Sequence, residues 1–160
     1  MAGASDKTVQ DAQEGDLDLV HTRVVGVPRE RVYGAFTDPE SLPRWWGPAG
    51  FTCRTSGIEL QPGGEWQVTL VGSDGTEYEN VYRFVELVRN ELFVVDHVSG
   101  HWFRLTAKLA AVPEGTRITW RQSFETKAAR DEVAGQCVPG NEQNLDKLEA
   151  FVGRGAAERG

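Results

Sequence analysis

Only two cysteines, Cys53 and Cys137, occur in 160 residues, with no CxxC spacing and no Cys/His cluster. That composition argues against a structural zinc site. Two separate thiols read as those of a reduced, cytoplasmic protein, although a disulfide between them stays open. There is no run of Lys or Arg, and the net charge is −7. Phosphate binding relies on clustered cations, so neither nucleic acid nor an anionic membrane is expected as a partner. No apolar run approaches a bilayer span. The N-terminus shows no basic segment followed by an apolar one, so no secretory signal is visible. Also missing are a Ser-His-Asp order, a nucleophile elbow, a phosphate loop and a dinucleotide fingerprint. His21, His97 and His101 have no metal-site spacing. No metal and no cofactor is expected.

What is present is enough for one domain. A chain of this length buries about 70% of its unfolded surface, so a core forms without staples. Residues 1–16 are polar and acidic without periodicity and read as a disordered arm. Residues 17–153 read as the domain, and 154–160 as a frayed tail. Leu17 to Val27 gives a first strand. Pro28 suits a helix start, and Val32, Ala35 and Phe36 then share one helical face. Asp38-Pro39 stops that helix, because the residue before proline is pushed out of the helical region. Ser41 to Trp46 reads as a second short helix, closed by Gly47-Pro48.

The period then changes from helical to two. Strands are expected at Phe51–Leu60, around Trp66, Val68 and Leu70, at Thr76–Val88, Glu91–Val98, His101–Val112 and Thr116–Phe124. Turn chemistry separates them: Pro62-Gly63-Gly64, Asp74-Gly75, Arg89-Asn90, Ser99-Gly100 and Pro113-Glu114-Gly115. Thr126 reads as the N-cap of a helix through Gln136. Gly135 and Pro139-Gly140 interrupt it, and a last helix runs from about Asn141 to Val152.

The order and content of these segments resemble the SRPBCC or START-like superfamily. The closest resemblance is to the polyketide cyclase-like branch named for the activator of the heat-shock-protein-ninety ATPase. The residues that carry it are PRERVYGAFTDPESLPRWWGPAGF (Pro28–Phe51), IELQPGGEW (Ile58–Trp66), DGTEYENVYRFVEL (Asp74–Leu87), GTRITW (Gly115–Trp120) and PGNEQNLDKLEAFV (Pro139–Val152). The branch commonly carries an acidic and a basic residue around the leucine before the Pro-Gly-Gly turn. Here Glu59 and Gln61 flank Leu60, so the basic partner is missing. The resemblance implies an α+β helix-grip fold. In it a curved antiparallel sheet of six to seven strands surrounds a long C-terminal helix, with two short helices after the first strand. A curved sheet and one helix leave a gap between them, and such pockets usually measure about 300–1,000 Å³.

The expected lining is Trp45, Trp46, Phe51, Trp66, Val68, Leu70, Tyr82, Phe84, Phe103, Leu105, Trp120, Gln122, Asn144 and Leu148. Trp66 and Trp120, in phase with apolar neighbours, read as core. Trp102 is out of phase and reads as outer-face. Of Trp45 and Trp46, one ring is expected to seal the cavity mouth and the other to cover surface. Asp96 and His97 must face opposite sides, so one points inward. With Tyr82 they are the leading candidates for acid–base chemistry, ahead of His21 and His101 near strand ends. The leading functional expectation is a binder of a hydrophobic or polycyclic small molecule, as monomer or weak homodimer, in a setting of sequestration or self-resistance in secondary metabolism. A cofactor-independent polyketide cyclase or dehydratase is the alternative. A chaperone cofactor comes third, since no additional N-terminal domain of the kind such activators carry is visible.

Overall fold

The expected alternation becomes seven strands in one sheet. The computed structural model describes residues 17–159, so the arm expected at 1–16 lies outside the described residues. In chain order the elements are β1 (Asp18–Val25), α1 (Arg29–Thr37), α2 (Leu42–Trp45), β2 (Thr52–Ile58), β3 (Glu65–Val71), β4 (Glu77–Val88), β5 (Leu92–His97), β6 (Phe103–Val112), β7 (Gly115–Phe124) and α3 (Lys127–Arg159). The sheet order is β1-β7-β6-β5-β4-β3-β2, antiparallel throughout. Strands β2 to β7 are consecutive hairpins. Only the α1–α2 segment crosses, carrying the chain from one sheet edge to the other.

Register places one row of rings across the concave face. Trp66 pairs with Tyr82, Tyr82 with His97, His97 with Phe103, and Phe103 with Phe124. Centroid distances along that row run from 4.7 to 6.2 Å. Cross-strand pairs of this kind hold sheet register. Register shifts between Thr55 and Gly57 and between Phe84 and Glu86 mark irregularities that bend the strands carrying them. A bent sheet has a hollow side, and α3 lies there against β1, β7, α1 and α2.

Helix α1 buries Val32, Ala35 and Phe36, the face expected from spacing. Phe36 meets Trp45 edge-on at 4.8 Å and Phe93 at 4.8 Å. Phe93 in turn meets Phe84 edge-on at 6.0 Å, and Phe84 exchanges backbone hydrogen bonds with the turn at Pro62. Gly115 must be glycine: a Cβ there would lie 2.2 Å from the Val25 carbonyl oxygen, and its φ is +143°.

The C-terminal segment corrects the sequence reading. Gly135 and Pro139 do not divide it; one helix runs from Lys127 to Arg159 and includes Pro139. Its backbone also continues beyond the Val152 end expected from the sequence. Thr126 caps it as expected, its Oγ1 accepting from the Ala129 N–H at 3.0 Å. A proline in a helix removes its own N–H and crowds the carbonyl four residues back. That residue is Gly135, which has no side chain to add to the crowding. Packing on both sides of the proline then outweighs its local cost. Pro139 is exposed, so Pro139→Ala is expected to raise stability by about 1–3 kcal/mol, measured as a higher urea midpoint at constant m-value.

Candidate functional site

Between the concave face and α3 lies a cavity of about 250 Å³. From the sheet, Leu70, Tyr82, Phe103, Leu105, Trp120 and Gln122 line it; from α3, Gln136, Cys137, Gly140, Asn141 and Asn144. Trp46, Gly47 and Pro48 form a lip between the two. The volume sits just below the range expected, and a dry apolar cavity of about 150 Å³ already holds a benzene ring. Space here therefore suits one or two rings.

The lip is held from α3. The Asn144 amide accepts from the Gly47 N–H (3.1 Å) and donates to the Trp45 carbonyl oxygen (2.7 Å). Gln143 accepts from the Ala49 N–H at 3.1 Å, and the Lys147 ammonium donates to the Phe51 carbonyl at 3.1 Å. Gly47 has φ +108°, which lets the chain reverse directly after Trp46. On the other side of α3, His21 and Arg23 of β1 reach Glu142, at 2.6 and 2.9 Å. The helix is thus tied to β1 along one flank and to the lip along the other.

Both tryptophans of the pair point inward, which corrects the expectation that one would cover surface. Trp45 is fully buried and Trp46 is 4% exposed. Trp45 ends α2, and Trp46 is already extended (φ −72°, ψ 134°). The backbone turns between them, so adjacent residues send their rings to one side. Trp45 donates its indole N–H to the Ala35 carbonyl at 2.9 Å and packs on Phe36 and Trp120. Trp46 reaches the cavity and lies edge-on to Trp66 and Tyr82.

Of the residues expected to line a cavity, Trp46, Leu70, Tyr82, Phe103, Leu105, Trp120, Gln122 and Asn144 do. Trp66, Val68, Phe84 and Leu148 are buried in the core around it, and so is Trp45. Phe51 is half-buried and packs edge-on against Tyr78 at 5.9 Å, on the far side of the lip. Trp102 is half-buried with the Arg104 guanidinium over its ring at 5.9 Å. That places it with the outward pair of Arg104 and Asp96. The indole nitrogen of Trp66 is buried without a hydrogen-bond partner.

The acid–base candidates separate. Asp96 faces outward and holds Arg104 through bonds of 2.7 and 3.0 Å. His97 faces inward but stands one layer behind the cavity wall, stacked on Phe103 at 4.7 Å and edge-on to Tyr82. Its Nδ1 donates to the His101 carbonyl oxygen and its Nε2 faces the Asn80 Oδ1, both at 2.6 Å. Tyr82 alone lines the cavity. Burial raises its hydroxyl well above the ordinary tyrosine range, against the pull of the Trp46 indole N–H. Burial also raises the Cys137 thiol, opposed by the Gln122 amide, and lifts the Cys53 thiol to about 11, opposed by Lys147. All three groups are uncharged at neutral pH.

Burial lowers the pKa of His97 below its usual value. The unfolded chain therefore takes up a proton near pH 6.5 that the folded ring resists. The stability from this site is fully present above about pH 6.5 and is lost as pH falls from there towards the folded pKa. His97→Gln is expected to flatten the dependence of the urea midpoint on pH below about 6.5.

The arrangement of a lip-bound α3 over a hollow sheet has relatives. The family model described as Activator of Hsp90 ATPase homolog 1-like protein matches residues 26–153. The chain belongs to that family. Solved structures with the same fold include a protein from Chromobacterium violaceum, 28% identical, with a TM-score of 0.75 over 84% of this chain and 96% of that one. A protein from Nitrosomonas europaea is 23% identical, with a TM-score of 0.78 over 87% and 96%. One from Arthrobacter aurescens is 21% identical, with a TM-score of 0.81 over 87% of each. A search of curated proteins finds no match. In this member of the family no helix among the described residues is long and apolar enough to cross a membrane. No group of three or more His, Cys, Asp or Glu side chains is placed to hold a metal among the described residues.

Sequence reading missed Gly47, Pro48, Gln136, Cys137, Gly140 and Asn141 as lining residues. The signal for the helical ones exists. Once the helix is continuous through Pro139, Cys137, Asn141, Asn144 and Leu148 are spaced by four, three and four, one stripe of an α-helix.

Proposed function

We propose that this protein binds a small, uncharged apolar molecule of one or two rings in the cavity under α3. The observation that carries the reading is the lining itself. Aromatic and aliphatic side chains from the sheet face neutral amides from the helix, with no carboxylate, ammonium or guanidinium among them. Such a mixture, largely apolar with a few placed polar groups, is what ligand pockets share. A cavity of about 250 Å³ favours the smaller hydrophobic molecules over the polycyclic ones. Sequestration of a natural product remains a setting that this chemistry suits.

Binding is favoured over turnover by the positions of the acid–base candidates. A cyclase without a cofactor needs a base in reach of its substrate. Asp96 faces away, and His97 lies behind Phe103 and Tyr82. The test is tryptophan fluorescence with neutral aromatic compounds of rising ring number. One- and two-ring compounds are expected to give saturable one-to-one quenching and four-ring compounds none. A four-ring compound that binds better than every smaller one would sink the proposal.

A further inference from the structure

The hydrogen bonds around the cavity carry a direction. An indole N–H can only donate, so the Trp120 Nε1 contact at 3.2 Å identifies the facing atom of Asn141 as oxygen. The Asn141 amide nitrogen must then be the atom that donates to Gln122, at 3.0 Å, and the Gln122 atom that accepts must be Oε1. The usual ambiguity of side-chain amides is removed by the tryptophan at the end of the chain. Gln122 is 5% exposed, and its Nε2 end, with two N–H groups, is left on the cavity side against the Cys137 thiol. A thiol sulfur is a weak acceptor. The cavity thus offers a buried donor whose partner within the protein is poor.

Resting on the binding reading above, we infer that the ligand is a neutral, flat molecule of one or two rings bearing a carbonyl-type oxygen, which accepts a hydrogen bond from the Gln122 amide nitrogen. The rings lie between Trp46, Trp120 and Leu105. Asn144 takes no part in this recognition, because its amide is bonded to the lip backbone. An anion is rejected because nothing charged lines the cavity to receive it, and burying an unpaired charge is costly. A buried donor left without an acceptor discriminates strongly against a ligand that lacks one.

The test uses the full chain and three two-ring probes in NMR-detected titrations. Coumarin is neutral with a lactone carbonyl, naphthalene has no acceptor, and 2-naphthoate is an anion. Coumarin is expected to bind at least fivefold more tightly than naphthalene and at least tenfold more tightly than 2-naphthoate. Gln122→Met is expected to bring coumarin to the level of naphthalene. Equal affinity of the unaltered protein for coumarin and naphthalene would overturn this inference and leave the binding reading standing; that comparison needs no variant to fold. Failure of all three probes to bind would overturn the binding reading and this inference with it.

Discussion

Trp45→Ala is expected to destabilise the protein by about 3–5 kcal/mol, the range for removing a fully buried large aromatic side chain. For a domain of this size that corresponds to a fall of roughly 10–15 °C in Tm. Three losses combine. The ring leaves a void between Phe36, Trp46 and Trp120, which it meets at 4.8, 5.6 and 6.3 Å. The indole N–H no longer satisfies the Ala35 carbonyl, which anchors α2 on α1. The void also undermines Trp46, so the lip loses its support. Trp45→Phe restores much of the packing but not the hydrogen bond, and should recover more than half of the loss. Urea titrations of the three proteins check this. A Trp45→Ala protein within 1 kcal/mol of the original would show that the ring is peripheral to the core.

Gly140→Leu is expected to abolish ligand binding, with at least a hundredfold loss of affinity, and to leave the fold intact. Gly140 lines the cavity, and a Cβ built there lies 3.7 Å from the Pro48 Cβ, an ordinary contact. The Leu side chain therefore projects into the gap between α3 and the lip and fills part of about 250 Å³. Replacing glycine inside a helix also favours folding by about 1 kcal/mol. The expected result is thus a protein as stable as the original or more so that no longer binds naphthalene. Gly140→Ala separates the two effects: it gains the helix contribution and keeps most of the space, so binding should survive. Loss of binding accompanied by loss of stability in Gly140→Leu would mean strain, and binding unchanged would mean the cavity is not the site.

Much of this fold was legible because strand chemistry is local. Alternation at Trp66, Val68 and Leu70, or at Phe103, Leu105 and Ala107, needs only a neighbour on each side to be read. Turns at Pro62-Gly63-Gly64 and Asp74-Gly75 end strands through backbone conformation, also a local property. The helix α3 was misread for the opposite reason. Pro139 and Gly135 are strong local breakers, and what overrides them is packing against β1, β7, α1 and α2, which no window of sequence contains. The same error hid Cys137 and Gly140 from the cavity lining. The pair Trp45 and Trp46 failed in another way. Treating both as helical put their rings on different faces, whereas the helix ends at Trp45 and the next residue is extended. That one of Asp96 and His97 points inward was readable, but not which, and Phe103 and Tyr82 come between His97 and the cavity through the third dimension of the sheet.

The central claim is that a guest enters between α3 and the aromatic face of the sheet. The five tryptophans test it most directly through their indole N–H resonances during a naphthalene titration. Trp46 and Trp120 line the cavity, while Trp102 lies on the outer face under Arg104. The resonances of Trp46 and Trp120 should shift together and saturate, with Trp102 unmoved. A shift confined to Trp102, or no movement of Trp46 and Trp120 at saturating naphthalene, would contradict it.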